Sequence, residues 1–161
     1  PARWFIPALK LIELICRERH LLSDKEKREQ AKDLYNACRE WAAALDEMLV
    51  NSVSRWKDLG VKGVRGEVES LQRDELKVDY ALLENSPLLT QLSDDQRFGE
   101  FSEQCSEFCD FALNLKRQVQ QFRGDGKGLE QQVDGWRNGI NARIQNLGKE
   151  YNKLRLIHVQ E

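Results

Sequence analysis

Two cysteines stand four residues apart, Cys105 and Cys109, in the stretch RFGEFSEQCSEFCDFALNLKRQVQQF, residues 97 to 122. At positions i and i+4 of a helix two thiolates can reach one metal ion, and two thiols on one face raise the question of redox chemistry. A structural zinc site needs four ligands, however, and its second pair is usually similarly spaced. Cys16 and Cys38 are isolated in the chain, and the only histidines, His20 and His158, fall near predicted helix ends. Phe98, Phe101, Cys105, Phe108, Ala112, Leu115, Val119 and Phe122 step by threes and fours in unbroken alternation, the heptad pattern of a buried seam. Cys105 belongs to that seam and Cys109 lies one step to its side. Free cysteine behaves as a small buried hydrophobe, so the pair is read as core, with no metal or other cofactor expected.

Other catalytic raw material is thin. The chain contains no HExxH, GxSxG, GxxxxGK[ST] or ExxH pattern and no CxxCH, so hydrolase, nucleotide, di-iron and haem chemistries lack their residue sets. Catalysis is not expected. RGDGKG, residues 123 to 128, puts glycines and a lysine before a helix N-terminus, where free N–H groups can hold an anion. Turn chemistry accounts for the same residues without a ligand. The Arg123-Gly124-Asp125 triplet resembles an integrin-binding tripeptide, but a match of this length without a secretion signal is expected by chance.

A basic group offers a different chemistry. Arg143, Lys149, Lys153 and Arg155 crowd the end of the last predicted helix against Glu150, and Lys149 and Lys153 share a face. Taken with Lys116, Arg117, Arg123 and Lys127 across the predicted hairpin, they suggest a locally basic region able to contact a nucleic-acid backbone. No aromatic residues are interleaved to stack on bases.

The elements that must position these residues are all helical. A first helix from about Trp4 to His20, with Pro7 near its first turn, confines Arg3, Lys10, Glu13, Arg17 and His20 to an arc of roughly 100°. The rest is apolar, and Trp4, Phe5, Leu9, Leu11 and Leu14 are candidate contacts for a partner protein or a second copy. SDKE, with Ser23 and Glu26, forms a capping box opening a second helix through Ala31, Leu34, Cys38, Trp41, Leu45 and Met48 to about Trp56. A kink near Asn51–Ser52 and an end at GVKG, residues 60 to 63, are expected. A third segment follows from Val64 to about Leu83. Pro87 then interrupts, PLLTQL suggests a short helical turn, and SDD (93 to 95) caps the helix that carries the cysteines. Leu129, Val133, Trp136, Ile140, Ile144, Leu147, Tyr151 and Leu154 mark the last helix, paired with its predecessor as an antiparallel hairpin.

Length and composition fit this picture. One domain, residues 1–161, suits the length, and the mix of 40% hydrophobic and 32% charged residues with a net charge of −2 gives no bulk electrostatic pull toward nucleic acid or membrane. WFIPALKLIELIC is broken by Lys10 and Glu13 and falls short of the roughly 20 residues that cross a bilayer. With no secretory signal ahead of them, the four cysteines suit reduced thiols in a cytoplasmic protein. Beginning at Pro1, the chain fits a whole protein or a piece of a longer one. The reading is an all-α, elongated four- to five-helix bundle with a long C-terminal antiparallel hairpin. Its expected function is a non-catalytic protein–protein interaction module, an adaptor domain or small subunit of an assembly. The alternative is a helical subunit of a nucleoprotein complex.

Overall fold

The computed structural model describes residues 5–17, 20–73 and 86–160. The protein is all-α: α1 is Phe5–Cys16, α2 Asp24–Arg73, α3 Pro87–Asp94, α4 Gly99–Gln121 and α5 Gly126–Gln160, with no strand among the described residues.

Two helix starts are built as their side chains dictate, the capping box expected at Ser23 and a cap at Ser86 that the sequence reading did not mark. At α2 the Ser23 hydroxyl accepts from the Glu26 amide and the Glu26 carboxylate accepts from the Ser23 amide, each at 3.2 Å. At α3 the Ser86 hydroxyl accepts from Leu89 N at 3.3 Å and donates to Ile15 O at 2.5 Å, so one hydroxyl caps α3 and anchors the last turn of α1. That tie falls where α1 ends, four residues before the expected His20.

α2 corrects the sequence reading. It runs for 50 residues through the GVKG expected to stop it, and takes in the first part of the segment from Val64; residues 74 to 83 of that segment lie outside the described residues. A glycine costs a helix about 1 kcal/mol but still supplies its N–H, and no proline stands between Pro7 and Pro87 to remove one. The Ser52 hydroxyl bonds back to Met48 O at 3.0 Å, at the place where the kink is expected.

Between α3 and α4 the expected SDD cap is carried by its last residue alone. Ser93 and Asp94 belong to α3, while Asp95 accepts from Arg97 N and Phe98 N and turns the chain into α4. The α4–α5 loop is shorter than RGDGKG, because Asp125 caps α5: its carboxylate accepts from Gly128 N at 2.8 Å and its carbonyl from Leu129 N at 3.0 Å, making Gly126 helical. α5 also outlasts its expected end at 154.

The core lies along the predicted seams. Phe98, Phe101, Cys105, Phe108, Ala112 and Leu115 of the α4 seam are buried, as are Leu129, Val133, Trp136, Ile140, Leu147 and Leu154 of α5 and Ala31, Leu34, Cys38, Trp41 and Leu45 of α2. Trp41 meets Phe108 edge to face, with ring centroids 5.7 Å apart. Cross-helix pairs fix the directions. Tyr35 stacks on Tyr151, Asp46 accepts from Arg137 and Lys57 lies 3.7 Å from Glu130, so α2 and α5 run antiparallel. Gln118 accepts from Trp136 and Glu100 faces Lys153, so α4 and α5 do too. Among the described residues no helix is long and apolar enough to cross a membrane.

Candidate functional site

The cysteines meet, but in the core. Cys38 from α2 joins Cys105 and Cys109 from α4, all three buried, with the Cys38 thiol hydrogen-bonded to both. The hydrogen bond with Cys105, together with burial, pushes the Cys38 thiol well above its ordinary value; the bond with Cys38 and then burial do the same to Cys109. Protonated thiols in this setting react slowly as nucleophiles. Among the described residues no group of three or more histidine, cysteine or acidic side chains is arranged to hold a metal. Cys38 joining the pair was missed in the sequence, although it shares with Cys105 a seam position on its own helix.

The RGDGKG loop supplies its own anion. Asp125 occupies amides at the start of α5 that a phosphate would need.

The candidate partner contacts of α1 are dispersed in fate. Trp4 lies outside the described residues, as do the side chains of Phe5 and Leu9. Leu11 is buried in the chain's own core, which removes it from any partner face, and Leu14 packs half-buried against that core.

The basic group is split by the register of the hairpin. Arg117, Arg123 and Lys127 sit at its closed end and Lys149, Lys153 and Arg155 near its open end. From Lys127 to Lys153 the distance along α5 is about 39 Å, so the single basic region expected from both sets does not form. Lys153 is also engaged, 3.0 Å from Glu150 and 3.8 Å from Glu100, and Arg143 lies over the Phe111 ring, 5.3 Å from its centroid. Arg155 lines a cavity.

These positions direct attention to the end of the bundle where α2 begins and α5 finishes. A four-residue ion network ties it together: Lys27 reaches Asp95 at 3.0 Å, while Arg97 bridges Asp95 and Asp24. Hydrogen bonding from Arg97, and secondarily from Lys27, holds the Asp95 carboxyl well below the usual carboxylate range. Leu21 and Leu156, 85% and 63% exposed, are the large hydrophobic residues most open to solvent among those described, and both are at this end. At the same end a cavity of about 210 Å³ is lined by Arg28, Lys32, Phe98, Tyr151, Leu154 and Arg155. On the flank of α3 and α4 a more polar hollow presents Thr90, Ser93, Asp94, Ser102, Glu103 and Ser106.

The arrangement can bury an apolar group and hold a negative charge at its edge; it brings together no nucleophile, base and orienting group. No protein-family model matches the chain, and neither does any curated protein or solved structure.

Proposed function

We propose that the protein is a non-catalytic helical interaction module, an adaptor domain or small subunit of a larger assembly, which engages its partner through the open end of the bundle. The observation that carries this reading is the placement of Leu21 and Leu156, the most exposed large hydrophobic residues among those described, at the end of the bundle that also holds an apolar cavity. A scatter of single exposed leucines has no meaning, but two at one end beside a hollow give a partner side chain somewhere to go. Other polar side chains serve the fold itself, with three thiols in the core and Arg97, Lys27, Asp24 and Asp95 engaged with one another at the open end.

A photo-crosslinking residue placed at position 21, at position 156 and at exposed Lys127, at the closed end of the hairpin, tests this. The first two are expected to crosslink efficiently to a second polypeptide, a copy of the chain or a purified partner, and the third weakly. Equal, background-level crosslinking at all three would refute the interface. The nucleic-acid reading draws on Lys149 and Arg155, basic residues at the same end. It requires oligonucleotide binding at low salt that weakens steeply as salt rises and is lost on charge reversal at Lys149 and Lys153.

A further inference from the structure

The cavity at the open end has a chemistry more specific than an apolar hollow. Its floor is carbon: Ala31, Phe98 and Leu154 are buried, and the ring of Tyr151, fixed by stacking on Tyr35 at 4.6 Å, makes one wall. At about 210 Å³ it is larger than the roughly 150 Å³ apolar cavity that admits benzene, so it takes a ring or a single chain of about eight carbons. Two paired acyl chains of a bilayer lipid do not fit. The charges around the opening are unbalanced, with Arg28, Lys32 and Arg155 against Glu29. Lys32 and Arg155 are exposed and project from facing helices, α2 and α5, so a charge at the mouth meets one from each side. An apolar interior selects an apolar body, and two cations at the mouth select an anionic end.

We propose that this cavity is a binding site for a small amphipathic anion, a free carboxylic acid with a short acyl or aryl body, whose carbon chain lies against Phe98, Tyr151 and Leu154 while its carboxylate sits between Lys32 and Arg155. This goes beyond the interaction reading and does not depend on it, since the site is complete within one chain.

Octanoate is the probe. Calorimetric titration of the full chain at low ionic strength is expected to show saturable one-to-one binding, with octanol of the same length binding at least tenfold more weakly. The double variant Lys32→Glu/Arg155→Glu is expected to lose at least tenfold in octanoate affinity while its urea midpoint stays at the wild-type value, because both side chains are exposed. Absence of saturable octanoate binding would overturn the site. Equal affinity for octanol would overturn its anion selectivity, and unchanged affinity in the double variant would place any binding elsewhere. As a second variant that leaves the charges intact, Leu154→Ala is expected to weaken octanoate binding by enlarging the floor; unchanged affinity there would also overturn the placement.

Discussion

Gly139 offers the sharpest test of how closely α4 and α5 approach. A methyl group built there overlaps the Phe111 ring, with Cε2 only 2.7 Å away and Cζ nearer still. Two effects of Gly139→Ala therefore oppose. Removing a glycine from a helix interior stabilises by about 1 kcal/mol. Against this, Phe111 must leave its rotamer, at about 0.5–1.5 kcal/mol, and give up its place under Arg143, at about 0.5–1 kcal/mol. The single variant should thus lie between neutral and about 1.5 kcal/mol destabilised. With Phe111→Ala already in place the obstruction is gone, and Gly139→Ala should stabilise by about 1 kcal/mol, giving a coupling of about 1–2.5 kcal/mol between the two sites. Urea unfolding of the four proteins by far-UV circular dichroism, compared at constant m, measures it. If Gly139→Ala stabilises equally in both backgrounds, the helices are further apart than described and the reasoning fails.

Phe108→Ala, in the middle of the α4 seam and against Trp41, should cost about 3–5 kcal/mol in the same assay; a loss under about 1 kcal/mol would remove Phe108 from the core. Asp95 has its folded pKa depressed, so its stabilisation is complete above the unfolded value near 4 and drains away as pH falls toward the folded one. Asp95→Asn should accordingly cost about 1–3 kcal/mol at neutral pH, with the gap to wild type closing progressively below about pH 4; a gap independent of pH would refute the pairing with Arg97 and Lys27. In thiol labelling of the native protein, half-buried Cys16 should react first and slowly, and Cys38, Cys105 and Cys109 only after unfolding; prompt labelling of any core thiol would contradict its burial.

The seams were legible in the sequence because a heptad pattern specifies which face of a helix is buried; Phe98 to Leu115 obey it in the structure, and so do the seam positions from Leu129 to Leu154 except Ile144 and Tyr151, which are half-buried. What a face does not specify is the partner's register. The sequence therefore could not show that Cys38 meets Cys105 and Cys109, or that Lys127 and Lys153 lie at opposite ends of the hairpin. GVKG was misjudged because helix propensity is a sum of small costs, whereas stopping a helix requires a missing N–H or a capped carbonyl, and these glycines provide neither. RGDGKG looks like a turn of five or six residues because Asp125 acts as a cap only once the helix it starts has formed. The cavity follows from no motif. It is the space left where the first turns of α2, the start of α4 and the last turns of α5 do not fill one another's surface.

The central claim is that the open end of the bundle is where the protein binds. Its most direct test is the molar mass in solution by light scattering over a range of concentrations, for the wild type and for Leu21→Glu/Leu156→Glu, each alone and with a low-salt oligonucleotide. The account predicts that wild type gains mass with concentration or with a purified partner, that the double variant stays monomeric and folded, and that oligonucleotide adds nothing to either. A wild type that remains a monomer throughout and gains mass only with oligonucleotide would contradict it.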